Sequence, residues 1–264
     1  MRAIRWFIVF FSMVAGGCAS LQPTNEQARQ AIAPGGQMRV AFLIGPLYAT
    51  KDANTGELRG VAIDLGRSLA ARYGVAMQPV VYPNPGAMIG GAKSGEWDVA
   101  LMGVSAERAA AVDFSAAYME VEQGYLVRAG VPIATAAEID RSGVRVGVLE
   151  KSGADVLLSS TLKNATLVRS KNLADLEALL KSGNADAIAA TKAFLFGRVA
   201  SQPGARVLEG NILTEPVAMA VPKGRDPAAA SAVAGFVEDA KRSGLVKSAI
   251  EKAGLLGVVV APLK

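Results

Sequence analysis

The chain contains two copies of one pattern, and this duplication restricts its fold more than any other feature. Residues 93–100 read KSGEWDVA, and residues 181–188 read KSGNADAI. In both copies a helical pattern ends at Lys-Ser, a Gly suits the left-handed position after a helix, and an apolar strand follows the Asp. The similarity extends upstream, where RVAFL at 39–43 corresponds to RVGVL at 145–149. We therefore expect two α/β units with the same strand-helix-strand-helix-strand order.

Hydrophobic periodicity assigns three strands and two helices to each unit. The first unit is predicted to have strands near 38–44, 75–82 and 97–102, and helices at 65–73, with Asp64 as N-cap, and at 86–94. The second is predicted to have strands near 144–148, 166–169 and 186–190, and helices at 154–162 and 173–182.

Two extended apolar segments, 118–127 and 217–221, are predicted to cross between the units. A helix that opens at Asp226-Pro227 and ends near Arg242 follows the second crossing, and a last helix runs to about Ala253. Two crossings return these C-terminal helices to the first unit.

The predicted architecture is therefore an α/β fold of two lobes, each a mixed sheet flanked by helices, joined by two crossing segments. Residues 38–122 and 218–264 would form lobe 1, and residues 123–217 would form lobe 2. The cleft between the lobes would face the carboxyl ends of the strands, where ligands of α/β proteins bind.

The N-terminus has the features of a bacterial export signal. Arg2 and Arg5 precede an apolar stretch at 6–14, which is too short to span a bilayer. Ala-Gly-Gly at 15–17 then precedes Cys18, and this arrangement resembles a lipoprotein cleavage site.

We expect residues 1–17 to be removed as a signal peptide and Cys18 to carry lipid, palmitate included, that holds the protein on a membrane. A secreted protein with an incidental cysteine is the alternative. Residues 18–37 are polar and are interpreted as a tether, in which Thr24 and Gln27 can cap a short helix over 25–33.

Composition excludes several classes of function. The chain has no His and a single Cys, so it has no Ser-His or Cys-His nucleophile, no His-ligated metal and no internal disulfide. Its formal net charge is only +5 and aromatic residues are 6%, which argues against a nucleic-acid groove. We expect a monomer without a cofactor or a metal.

Four segments of the first unit form a further pattern: GVAIDL at 60–65, GEWDV at 95–99, SAER at 105–108 and VDFSAAY at 112–118. Together they resemble the signature of family 3 of the bacterial extracellular solute-binding proteins, the receptors of amino-acid-type ABC transporters. The resemblance implies the type 2 periplasmic binding protein fold. It also implies a periplasmic receptor that closes on a small carboxylate-bearing solute, docks on an ABC permease in the inner membrane and catalyses no reaction.

The resemblance assigns the solute's carboxylate to Arg108, and a guanidinium does offer a planar fork to a carboxylate. Ser105 matches the residue that begins the helix carrying this Arg, and Met102 and Gly103 match positions that line the site. The alternatives are an ion pair of Arg108 with a neighbouring acid and a plain N-cap at Ser105.

In the second unit, Ser152 and Gly153 lie where the family binds carboxylate through backbone N–H groups at a helix start, although an ordinary cap is the alternative. Tyr48 and Asn84 follow the first two strands, near the loops where the family stacks aromatic residues on its ligand. A surface position is the alternative for Tyr48.

Thr191 departs from the family pattern, because amino-acid receptors carry there the Asp that neutralises the ligand's ammonium. A Thr cannot offset a charge, and burying an unpaired ammonium is costly. The solute is then an acid without an amine, or another carboxylate compensates; Glu120 and Glu122 are the candidates, with solvated charges on a hinge strand as the alternative.

Two other functions stay open at this level. An enzyme on the same scaffold, like cyclohexadienyl dehydratase, would need a general acid, for which Glu120, Glu122 and Glu150 are candidates. A sensor or scaffold lipoprotein would act through another chain. Trp97, Asp98 and Asp186 are interpreted as structural.

Overall fold

A computed structural model of the chain describes residues 23–264. The predicted signal peptide, 1–17, and the predicted lipidation site, Cys18, lie outside these residues. Strands are numbered in chain order: β1 Gln37–Leu43, β2 Thr50–Lys51, β3 Leu58–Arg59, β4 Ala76–Tyr82, β5 Val99–Gly103, β6 Val112–Val127, β7 Arg145–Leu149, β8 Thr166–Ser170, β9 Ala187–Thr191, β10 Arg206–Val207, β11 Leu213–Pro222 and β12 Val258–Val260.

Nine α-helices lie within residues 23–264: α1 Asn25–Ile32, α2 Val61–Arg72, α3 Pro85–Lys93, α4 Ala106–Ala109, α5 Gly153–Thr161, α6 Leu173–Lys181, α7 Lys192–Val199, α8 Pro227–Arg242 and α9 Leu245–Lys252. In this part of the chain no helix is both long and apolar enough to cross a membrane.

The strand order is β4-β1-β5-β11-β6-β9-β7-β8. In the first lobe β1 pairs in parallel with β4 and β5, and in the second lobe β7 pairs in parallel with β8 and β9. The two lobes therefore repeat one β-α-β-α-β unit, as the sequence duplication predicts. The antiparallel strands β6 and β11 lie side by side between them and form the two crossings.

The first crossing is longer than predicted, because β6 begins at Val112 rather than near Tyr118. The segment upstream of Tyr118 lies outside the predicted crossing, but it pairs with the far end of β11, where Val112 lies opposite Pro222. Cross-strand pairing, which a single-sequence pattern does not contain, extends the strand.

The duplication also appears in two matching ion-pair networks. Arg39 donates to both oxygens of Asp98 at 2.9 and 2.7 Å, and Arg145 donates to both oxygens of Asp186 at 3.2 and 3.0 Å. A third cation joins each pair, Arg225 on Asp98 and Arg128 on Asp186. Both aspartates thus tie the first strand of a lobe to its third, which agrees with a structural role.

These arginines decide the ionisation of both aspartates. Burial disfavours their charged forms, but the hydrogen bonds donated by Arg39 and Arg225 outweigh it and hold the pKa of Asp98 below its usual range. Burial also raises the pKa of Asp186, but hydrogen bonds from Arg145 and Arg128 outweigh this effect and lower the pKa below its usual range.

Helix α1 packs on α8 although the sequence analysis predicts a tether over residues 18–37. Thr24 and Gln27 form the predicted capping box, and Ala28 and Ile32, one turn apart, are 2% and 0% exposed. The tether interpretation is therefore wrong for residues 25–32, since an apolar stripe at helical spacing gives them a face to bury.

Asp64 is not the N-cap of α2. The helix begins earlier, at Val61, and Gly60 is its N-cap with φ of 135°. A side chain at Gly60 would bring Cβ within 2.6 Å of the Tyr48 carbonyl oxygen, so this close approach requires Gly. Asp64 instead lies in the first turn of α2 and pairs with Lys252 at 3.0 Å.

Candidate functional site

A cleft with about 690 Å³ of empty space, its opening to solvent included, lies between the two lobes. Its lining comes from the carboxyl ends of β1, β5, β7 and β9 and from the loops and helices that follow them. Most of the wall is apolar, with Leu47, Met88, Leu173 and Phe194 among its members. This is the position predicted from the sequence, because parallel strands present their carboxyl ends at one edge.

Arg108 is the cation in this wall, and it contacts both lobes. Its side chain is 8% exposed, and its Nη1 donates to the Gly103 carbonyl at 2.6 Å in the first lobe. Its Nη2 donates at 2.8 Å to the carbonyl of Lys151, which belongs to the second lobe. The acids near Arg108 in the chain are not its partners, since Glu107 pairs with Lys151 and Asp113 pairs with Lys223.

Glu215, which the sequence analysis does not identify, is the acidic partner of Arg108. Its Oε1 is 3.2 Å from Arg108 Nη1, and its Oε2 accepts a hydrogen bond of 2.6 Å from Gln123 Nε2. Burial raises the pKa of Glu215, and the charge of Arg108 and the hydrogen bonds from Arg108 and Gln123 oppose that shift. Both Glu215 and Gln123 line the cleft.

The alternation of β11 contains a signal for Glu215. Leu213, Glu215 and Val217 occupy one face of the strand, and Val217 is fully buried. The predicted crossing begins only at Val217, so Glu215 lies outside the predicted strand. Extending the strand by two residues would place this carboxylate on the inner face.

Two glycines make room for the Glu215 carboxylate. A Cβ at Gly103 would lie 2.0 Å from Glu215 Oε1, and a Cβ at Gly153 would lie 2.9 Å from Oε2. Gly103 comes from the first lobe and Gly153 from the second, so the carboxylate occupies a slot between the lobes. The predicted site residues Gly103 and Gly153 are thus brought together, with Met102 in the same wall.

Tyr48 lies in the cleft wall and is 8% exposed. Burial raises the pKa of its phenol, and the nearby Glu215 carboxylate adds to the shift. Tyr48 is therefore a neutral group beside the ion pair at all physiological pH values.

The hydroxyl groups of Ser105, Ser152 and Thr191, three of the predicted site residues, cap the N-termini of helices. Ser105 accepts from the Arg108 backbone at 3.2 Å, and Ser152 accepts from the Asp155 backbone at 3.2 Å. Ser152 lines the cleft, whereas Ser105 lies in a separate depression on the other side of Arg108. Thr191 lines the cleft too, and its hydroxyl accepts from the Phe194 backbone at 3.4 Å as N-cap of α7.

Asn84 and Glu122 do not line the cleft. Asn84 caps α3 and donates to the Lys171 carbonyl at 3.0 Å, which joins the two lobes. Glu122 pairs with Lys192 at 2.7 Å, because successive residues of β6 point to opposite faces and Gln123 occupies the cleft side. Glu122, the residue expected to compensate for Thr191, thus lies outside the lining in this structure, as do Glu120 and Glu150.

The profile of the bacterial extracellular solute-binding proteins, family 3, matches residues 39–254. The glutamine-binding protein GlnH of a Bacillus subtilis (strain 168) ABC transporter is 26% identical over 190 residues, which cover 68% of this chain and 67% of that protein.

Two solved structures are similar over most of the chain. The solute receptor for L-cysteine of Neisseria gonorrhoeae is 26% identical, with a TM-score of 0.77 over 85% of this chain and 92% of that one. The ancestral amino acid-binding protein AncCDT-1, described as a precursor of cyclohexadienyl dehydratase, is 26% identical, with a TM-score of 0.73 over 85% and 98%.

These comparisons define a type 2 periplasmic binding protein, which confirms the predicted fold class. The chain belongs to family 3 of the bacterial extracellular solute-binding proteins.

Proposed function

We propose that the protein is the solute receptor of an ABC transporter and binds an amino acid or a related small carboxylate in the cleft between its lobes. Membership of family 3 supports an extracytoplasmic receptor. The names of its relatives, a glutamine-binding protein and a receptor for L-cysteine, support an amino-acid-like solute.

The position of Arg108 carries this proposal. It is a buried cation at the junction of the two lobes, held by the carbonyls of Gly103 and Lys151. A guanidinium has five N–H donors, and the described contacts of Arg108 engage three of them, with Gly103, Lys151 and Glu215. The remaining donors would bind the solute's carboxylate.

The rest of the wall favours a solute with an apolar side chain. Leu47, Met88, Leu173 and Phe194 surround the polar end of the cleft. A micromolar receptor needs about 8 kcal/mol of binding free energy. Burial of a small apolar side chain, at about 1.5–3 kcal/mol, and charge-assisted hydrogen bonds can supply it.

Closure would be a hinge motion of the lobes about β6 and β11, driven by contacts of the solute to both sides. The proposed lobe boundaries are residues 38–122 with 218–264 and residues 123–217. The closed protein would dock on a permease in the inner membrane as a monomer and perform no catalysis, since Arg108 and Gln123 hold the carboxyl group that lines the cleft.

Calorimetry with the L-amino acids tests the proposal. Arg108→Gln should weaken the binding of every amino acid that the wild type binds by at least about tenfold, because the carboxylate loses a charge-assisted contact. Arg67→Gln, at an exposed position on α2, is the matched control and should leave affinity unchanged. Equal affinity of the Arg108 variant and the wild type would overturn the proposed role of Arg108.

The lipid anchor at Cys18 is a separate part of the proposal. The wild-type protein should fractionate with membranes and Cys18→Ser should become soluble, because anchoring depends on acyl chains attached to this thiol. A serine variant that stays in the membrane fraction would contradict lipidation at Cys18.

A further inference from the structure

The cleft balances its own charge. Among the described residues, the charged side chains of the lining are Arg108 and Glu215, which form an ion pair. A solute with only a carboxylate would bring a net negative charge next to Glu215. A solute with both a carboxylate and an ammonium adds no net charge. Each of these two groups can then lie beside a group of opposite charge.

Glu215 has acceptor capacity left for a cation. An ionised carboxylate offers about four lone-pair sites, and Arg108 and Gln123 occupy one on each oxygen. Its side chain is 12% exposed and lies in the wall of the cleft. An ammonium in the cleft can therefore reach a carboxylate that the protein already holds in place.

Thr191 does not fill this role. It lines the same cleft, but its hydroxyl accepts from the backbone of Phe194 and it carries no charge. Glu122, the other candidate, pairs with Lys192 outside the lining. The carboxylate that lines the cleft is thus on β11, the second crossing strand, rather than on β6 or β9.

We propose that Glu215 accepts the solute's ammonium while Arg108 binds its carboxylate, so that the receptor selects α-amino acids over acids without an amine. This inference rests on the proposed function of the cleft. Arg108 Nη1 and Glu215 Oε1 are 3.2 Å apart, which suits a solute whose two charged groups are attached to one carbon. An amino acid with its charges at opposite ends of a chain cannot contact both groups in the same way.

Three probes of similar size separate these charge patterns: L-leucine, its amine-free analogue 4-methylpentanoate, and its isomer 6-aminohexanoate. Calorimetry should show wild-type affinity for L-leucine at least about tenfold above that for either analogue, because a missing partner leaves a buried charge unpaired. L-Methionine and L-glutamine, each with its deaminated analogue, repeat the comparison for other side chains.

Glu215→Gln keeps the shape of the side chain and removes its charge. It should lower affinity for the amino acid at least about tenfold and raise affinity for the amine-free acid, since Arg108 then lacks its internal counter-ion. Glu215→Asp keeps the charge and should retain the preference for the amino acid. Circular dichroism of each variant checks that the fold is intact, and Arg108→Gln/Glu215→Gln removes both charges if an unpaired Arg108 prevents folding.

The outcomes separate the two proposals. Amino-acid binding that depends on Arg108 but not on Glu215 overturns the role of Glu215 and leaves the receptor function standing. Equal wild-type affinity for an amino acid and its deaminated analogue also overturns it. If neither the L-amino acids nor the amine-free acids bind the wild type, the proposed function fails together with this inference.

Discussion

Arg108 Nη1 lies 3.2 Å from Glu215 Oε1, although 107 residues separate the two in the chain. The pair lies where both lobes and both crossing strands converge, since β6 supplies Gln123 and β11 supplies Glu215. Any movement of one lobe against the other must change the surroundings of this ion pair. We expect substitutions around it to lower affinity as well as stability.

Gly103→Ala should displace the Arg108–Glu215 ion pair, because it adds a methyl group to the backbone beside the pair. The new Cβ would lie 2.0 Å from Glu215 Oε1 and 2.9 Å from Arg108 Nη1, so the ion pair must shift. We expect an affinity loss of at least about tenfold and a stability loss of about 1–3 kcal/mol, as for other overpacked sites. Calorimetry and urea denaturation measure the two effects.

Gly90→Ala is the matched control for this change. Gly90 is exposed within α3, and a Cβ there would meet no atom within 4 Å. It should stabilise the protein by about 0.5–1 kcal/mol and leave binding unchanged. Unaltered binding by the Gly103 variant would show that the slot tolerates a methyl group.

Asp98→Asn should be among the most destabilising conservative substitutions outside the cleft. The Asp98 side chain is 1% exposed and pairs with Arg39 and Arg225, and removing one partner of a buried ion pair costs about 3 kcal/mol or more. Urea denaturation should show this loss. Asp113→Asn, in a pair that is about half exposed, should change stability by less than about 0.5 kcal/mol.

The cost of Asp98→Asn should depend on pH. Because the folded-state pKa of Asp98 is lowered, its stabilisation is present above the unfolded-state pKa of 3.8 and disappears as pH falls through the folded value. The difference between wild type and variant should therefore shrink in acid. A constant difference down to the lowest pH that preserves the fold would contradict this origin.

Lys151 holds a left-handed backbone, with φ of 60°, while its carbonyl accepts from Arg108. A non-glycine residue in this conformation costs about 1 kcal/mol. Lys151→Gly should therefore be more stable than Lys151→Ala by about that amount, since both lose the side chain and only glycine relieves the backbone. Thermal unfolding of the two variants compares them directly, and an alanine variant of equal stability would contradict the strain.

Amino-acid affinity should fall as the solution is acidified. The titratable or charged groups that face Glu215 are Arg108 and Tyr48, and its raised pKa keeps Tyr48 neutral. Because the pKa of Glu215 is raised above 4.5, it becomes protonated at a higher pH than an ordinary glutamate and loses the charge that would attract the ammonium. Calorimetry of wild type and Glu215→Gln over mildly acidic pH should show the fall in the wild type only.

The sequence determined the architecture because its signals are local and occur twice. Alternation and helical spacing predict the strands and helices of both lobes, and the Asp98 and Asp186 networks follow from the repeat itself. The position of Arg108 in the cleft follows from its resemblance to the family motif. Asp64 was misassigned because the close backbone approach at Gly60 starts α2 earlier. The helix predicted over 25–33 is present, but it packs on α8 instead of lying in a tether.

Only the tertiary structure decided which carboxylate belongs to the site. Glu120 and Glu122 are the candidates in the sequence because they lie on a predicted crossing. Strand pairing, however, turns Glu122 toward Lys192. Glu215 carries no local motif, and its role exists only because β11 pairs with β6 and brings it beside Gln123 and Arg108. Arg108, Gln123 and Glu215 are far apart in the chain, and their interaction depends on their distance in the folded protein. Hydrophobic periodicity reports only local structure and does not contain that distance.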